Sequence, residues 1–156
     1  MRQIKGFSMV AAFAATGLVF LLFAFSARPG AHSVQVYVDD NLVVERYIDT
    51  RLEAPKVALD AAHNQQLIVR YNECGRTVTG RKLTIRNSKG AMLKEWSFGG
   101  ESTGFNNAMS CSVKELSALK SKDASPLRLY YTSKDFAEGQ QIASLVFTSG
   151  SQSASK

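Results

Sequence analysis

Few residues in this chain are spaced for chemistry, and each candidate has a competing use in the fold. Gly100-Glu101-Ser102-Thr103-Gly104 matches the G-x-S-x-G pattern of a hydrolase nucleophile. That elbow needs a strand before it, a helix directly after it, and an acid and a histidine later in the chain. Phe105-Asn106-Asn107 is a poor helix start, and both histidines, His32 and His63, precede Ser102. The stretch therefore reads as a glycine-rich loop. It also lacks the Gly-Lys-Ser/Thr ending whose lysine meets phosphates. Metal donors are present in His63, Asp60, Cys74, Cys111, Met92 and Met109, and thiolate with thioether would favour copper(I). None of them is spaced as C-x-x-C, H-x-H or M-x-x-M. The reading is no metal, no cofactor and no enzyme, with a periplasmic metal carrier as the third alternative. The 13 acids are scattered. Asp39 and Asp40 are adjacent in a turn cluster, where Asp bonds nearby backbone. They do not form an acid–base pair for glycoside hydrolysis.

Charge is more informative. Residues 70–94 hold Arg70, Arg76, Arg81, Lys82, Arg86, Lys89 and Lys94 against one acid, Glu73. Such a segment concentrates anions by its field. Asn87-Ser88-Lys89-Gly90 suits a type I turn with Gly90 in the left-handed conformation. That turn pairs Asn87 with Ala91 and, carried on without interruption, Lys82 with Trp96. Arg81, Lys82, Arg86, Lys94 and Trp96 are then the candidate site: a basic, aromatic-bearing surface for glycan or another anionic polymer. Two alternatives stand beside it. The cations can be neutralised by acids elsewhere in space, such as Glu95 or Glu53. A bulge near Leu93 or Lys94 would turn Trp96 and Phe98 into the core instead, replacing Glu95 and Ser97, which suit a core badly.

The elements that must carry these residues are strands. Val34, Val36 and Val38 alternate with polar neighbours, as do Leu67, Val69 and Tyr71, then Leu83 and Ile85, then Leu127, Leu129 and Tyr131. Further short strands are expected over 42–48, 56–59, 91–98 and 142–147. Period-two runs broken by turn residues predict an all-β fold: an antiparallel β-sandwich, immunoglobulin-like or related, of about 7–9 short strands. One short connecting helix is expected near 112–120, where Ser112 and Glu115 fit a capping box and Val113, Leu116 and Leu119 fall near one face. No longer amphipathic helix appears, which argues against a parallel α/β sheet.

The 156 residues, 45% hydrophobic and 21% charged, suit one globular domain. The expected organisation is an export segment over 1–27, a sandwich over 33–148 and a disordered tail over 149–156. Arg2 and Lys5 precede an uncharged run over 6–27. This describes a secretory signal cleaved near Ala24 and Ser26, or an uncleaved anchor in the inner membrane. Either places the rest outside the cytoplasm, periplasmic or secreted. No cysteine lies near the end of the run, which excludes a lipoprotein signal. In an oxidising compartment the two cysteines, Cys74 and Cys111, are expected to form a disulfide. The resulting expectation is an exported, non-catalytic interaction or structural module of the cell envelope or exterior. Its partner would be a protein of the envelope, met by edge-strand pairing. The alternative is the glycan or anionic-polymer module. Nucleic acid is disfavoured because no binding module is recognisable, and a membrane enters only through residues 6–27.

Overall fold

Alternating burial sets the two layers. The structure, a computed structural model, describes residues 32–48, 52–120 and 125–148. In chain order the strands are β1 (Ser33–Val38), β2 (Asn41–Tyr47), β3 (Lys56–Leu59), β4 (Gln66–Asn72), β5 (Thr77–Val78), β6 (Arg81–Arg86), β7 (Met92–Phe98), β8 (Ser102–Thr103) and β9 (Met109–Ser112). Helix α1 (Val113–Ala118) follows, then β10 (Leu127–Thr132) and β11 (Gln140–Phe147). One sheet runs β2-β1-β4-β9, the other β3-β11-β10-β6-β7, and β5 pairs with β8 as a small ribbon. The fold is the expected all-β sandwich, with 54% of the described residues in strands. It departs from expectation in detail. The two-residue strands of the β5–β8 ribbon and the short β9 raise the strand count above nine, and β3 joins β11 in parallel. These strands are too short for periodicity to reveal, and parallel pairing is a long-range choice.

The inward positions of both sheets form one core. Val34, Val36, Leu67, Val69 and Met109 meet Leu59, Leu83, Ile85, Leu129 and Leu145, all fully buried. Each such side chain contributes about 1.5–3 kcal/mol by leaving water. Asp39 fastens the first hairpin to the second strand pair. Its carboxylate accepts the N–H groups of Gln65 and Gln66, both at 2.9 Å, which hold its pKa below the usual carboxylate value. At the other hairpin, Gly139 has φ +73°, and a Cβ there would stand 2.9 Å from the Tyr131 carbonyl and closer still to Thr132.

The Asn87–Gly90 turn forms as expected. Asn87 N–H donates to Ala91 O at 2.9 Å, Gly90 N–H donates to Asn87 O at 3.0 Å, and Gly90 has φ 85°. The register beyond it does not. Arg86 pairs with Met92, but Ile85 pairs with Lys94 and Leu83 with Trp96. Leu93 is the extra residue of a bulge. The slip moves every later side chain of β7 to the other face. Trp96 and Phe98 now pack against the core, while Glu95 and Ser97 face outward. Burying two aromatic rings in place of a carboxylate and a hydroxyl is the physical reason for the bulge.

The expected disulfide is absent: Cys74 is exposed, Cys111 is buried, and the two are not joined. Cys111 pairs with Leu67 near the start of β4, whereas Cys74 lies just past its other end. At about 3.3 Å per residue, the strand separates them by roughly 20 Å. Burial, with Glu115 nearby, pushes the Cys111 thiol up to about 12. The capping box is also unrealised. Ser112 is the N-cap of α1, but its side chain makes no capping bond, and Glu115 reaches across to β7 instead. Residues 1–27 and 149–156, with the export segment and the tail, lie outside the described residues.

Candidate functional site

The outer face of the five-stranded sheet carries the candidate site. Cross-strand pairing places Lys56 of β3 opposite Ser144 of β11, Ser144 opposite Arg128 of β10, and Arg128 opposite Arg86 of β6. Directly paired residues share a face, so these four form one row. At about 4.8 Å per strand, the row runs roughly 14 Å from Lys56 to Arg86. Among the described residues no acid pairs with Lys56, Arg128 or Arg86. Like charges directly opposite each other on neighbouring strands are destabilising, yet Arg86 and Arg128 stand in that relation.

The next row fixes the first. Tyr130 lies beside Gln141 and Thr84, and its hydroxyl donates to Gln141 Oε1 at 3.3 Å. The Arg86 guanidinium lies 4.6 Å from the Tyr130 ring centroid, a cation–π contact that orients the cation. Beyond it Lys82 faces outward but is spent on Glu95, with Nζ 2.7 Å from Oε1. A groove of about 480 Å³ runs along β11 and the approach to β3. Lys56, Arg128, Ser144, Gln140, Gln141 and Glu53 are among its lining residues.

The five residues expected to form a site do not share one face. Lys82 and Arg86 point outward, and only Arg86 lacks an acidic partner. Arg81 has the inward parity of Leu83 and is 3% exposed, with Nη1 donating to the Asn107 carbonyl at 2.6 Å. Lys94 and Trp96 stand on the inner side of edge strand β7, where Glu115 of α1 collects both. Lys94 Nζ is 3.0 Å from Glu115 Oε1, and Trp96 Nε1 donates to Oε2 at 3.3 Å. The hydrogen bond and charge of Lys94 hold Glu115 below the usual carboxylate range. Lys56, Arg128, Ser144 and Tyr130 escape sequence reasoning. The alternation of β10 already turns Arg128 and Tyr130 away from the core. Which strands lie beside β10 is the missing information, since β6 is some 40 residues earlier in the chain.

A second polar group lies inside one end of the sandwich. Glu73 is 1% exposed, and Tyr131 Oη donates to its Oε1 at 2.9 Å. Arg76 Nη2 lies 3.6 Å from the other oxygen. The Tyr71 and Tyr131 rings stack with centroids 3.9 Å apart, and the Tyr71 hydroxyl meets His32 Nδ1 at 3.1 Å. Burial first, then the nearby Glu73 carboxylate, raise both tyrosines well above the usual value near 10. This cluster ties β4 to β10 across the two sheets.

The other candidates are dispersed. The Ser102 hydroxyl donates to the carbonyl of Asn106, and a turn rather than a helix follows. Asp60 and His63 form an exposed pair at 2.8 Å within one turn. Met109 is fully buried, and Met92 lies exposed on β7. Among the described residues no three His, Cys, Asp or Glu side chains gather around a common point. No helix among them is long and apolar enough to cross a membrane. The chain matches no model of a known protein family and no curated protein.

Proposed function

We propose that this protein is an exported, non-catalytic binding module that holds an anionic polymer, a polysaccharide in the first instance, on the outer face of its five-stranded sheet. One observation carries the reading: Lys56, Arg128 and Arg86 stand in a single cross-strand row, without acidic partners among the described residues. Buried cations need partners supplied by the fold, but a row of surface cations at fixed spacing is free to meet a ligand's anions. Export rests on Arg2 and Lys5 ahead of the uncharged run over 6–27, whether that segment is removed or stays as an anchor. Chromatography on immobilised heparin tests the binding. The protein is retained at low salt and released as ionic strength rises past the point where surface charge is screened. An Arg86→Glu/Arg128→Glu variant passes through unretained; equal retention of the variant removes the proposal.

A specific observation also favours protein contact. Strand β2 is an edge, and it exposes Leu42, Val43 and Tyr47, the last to 73%. An exposed apolar edge is a template for adding a partner's strand. On this reading the envelope partner docks on β2 and the anionic polymer on the opposite sheet. A Val43→Lys variant then loses its partner from envelope extract yet keeps its heparin retention. A variant that keeps both sets β2 aside.

A further inference from the structure

We infer that the groove beside the cation row is a subsite for a single carboxylated sugar, a uronic acid residue of the polymer. The inference rests on the proposed binding of an anionic polymer at this sheet. The groove's mixed chemistry selects such a ligand. Lys56 and Arg128 supply two positive charges, and Glu53 returns one negative charge to the same lining. A net charge near +1 matches a monoanion, and the groove alone offers a densely charged phosphate or sulfate chain less than the full cation row does.

The neutral lining points the same way. Gln140, Ser88 and Ser144 supply amide and hydroxyl groups that can both donate and accept, and the Gln141 amide, held by Tyr130 and Ser144, braces the wall. Sugar hydroxyls need such two-way partners, and the Glu53 carboxylate can accept from one of them. The planar guanidinium of Arg128 matches a carboxylate with two parallel hydrogen bonds, and Lys56 acts as a point charge. Ser144 lies between these two cations in the row, so a carboxylate held there would also meet a hydroxyl. Single-stranded nucleic acid fits less well. It needs open aromatic faces for its bases, and Arg86 covers the one ring in this region, Tyr130.

Calorimetry at low salt, on protein purified from cells expressing the full chain, tests this. The titrants are a short oligogalacturonate, its fully methyl-esterified form, heparin and single-stranded DNA. Oligogalacturonate is expected to bind and its ester not to. Arg128→Gln weakens binding about tenfold or more, as loss of a bidentate charged contact implies. Lys56→Gln, on an exposed edge position, weakens it severalfold. Lys89→Gln, which removes the same charge at the tip of the β6–β7 turn, leaves it unchanged. Circular dichroism confirms that each variant stays folded; should Arg128→Gln unfold, Lys56→Gln set against Lys89→Gln decides. Equal binding of the methyl ester, or equal weakening in Lys89→Gln, overturns the uronate subsite. Binding of heparin or DNA without oligogalacturonate also overturns it and leaves the anionic-polymer reading standing. Binding of no polyanion at all overturns both.

Discussion

The buried end of the sandwich and the outer face of its five-stranded sheet are both built from tyrosine and arginine, and they use them in opposite ways. Inside, the Tyr131 hydroxyl donates a hydrogen bond to Glu73, and the Arg81 guanidinium donates one to the Asn107 carbonyl. Each side chain is tied to a neighbour through one atom, since burial without a partner costs several kcal/mol, while Glu73 Oε2 and Arg81 Nε have no hydrogen bond among the described residues. Outside, Tyr130 holds Arg86 by a cation–π contact, and Arg86 faces Arg128 with neither ion-paired to an acid among the described residues. The inner set spends its charge on holding β4 to β10. The outer set leaves its charge available to a ligand. The difference separates residues that keep the fold from residues that a partner can use, although both sets are the same amino-acid types.

Five substitutions or titrations press on this contrast. Glu73→Ala strands the buried Tyr131 hydroxyl and removes the carboxylate that Arg76 approaches. A loss of about 3 kcal/mol is expected in urea unfolding. Tyr131→Phe removes one hydrogen bond to a charged group and costs about 2 kcal/mol. A loss under 0.5 kcal/mol for either would mean that the inner cluster is not structural. Alkali probes the same cluster. Tyr71 and Tyr131 keep their protons above the pH at which the unfolded chain loses them. Their contribution is therefore full below pH ~10 and is lost as pH rises further. Unfolding midpoints followed across that range should fall, and a Tyr71→Phe/Tyr131→Phe variant should show a smaller fall.

The outer row gives the opposite result. Arg128→Gln relieves repulsion from Arg86, so stability stays within about 0.5 kcal/mol of the parent or rises. A loss as large as that of Tyr131→Phe would turn Arg128 into a structural residue and erase the contrast. The smallest effect belongs to Glu115, whose folded pKa is depressed chiefly by Lys94. The contribution of that contact is present above the ordinary carboxylate pKa and disappears as pH falls through the lowered one. Trp96 is the only tryptophan and donates to Glu115, so its fluorescence reports the step. The midpoint should lie below the usual glutamate value of about 4.3 and move with Lys94→Gln.

How much of this was legible in the residues depends on the range of the interaction. Alternation of Val34, Val36 and Val38, or of Leu127, Leu129 and Tyr131, is a property of one strand, and it reveals the layers directly. The Asn87–Gly90 turn is equally local. The bulge at Leu93 was visible only as a conflict, since the simple register would have placed Glu95 and Ser97 in the core. Cysteine pairing failed because an even count says nothing of position along β4. The cation row was hidden for the same reason. Lys56, Ser144, Arg128 and Arg86 come from four segments spread over nearly 90 residues, and only the order of strands brings them together. The segment 70–94 is dense in positive charge, yet folding disperses it. Arg81 goes inward, Lys94 goes to Glu115, and Lys82 goes to Glu95.

Titration of isotope-labelled protein with a heparin oligosaccharide, followed by amide and arginine side-chain chemical shifts, addresses the use of the outer face most directly. The largest changes are expected at Lys56, Arg86, Arg128 and Ser144, with Glu73, Tyr71 and Tyr131 unmoved. Changes gathered on β2 or at the buried end, with the outer row silent, would contradict the division of labour between the two regions.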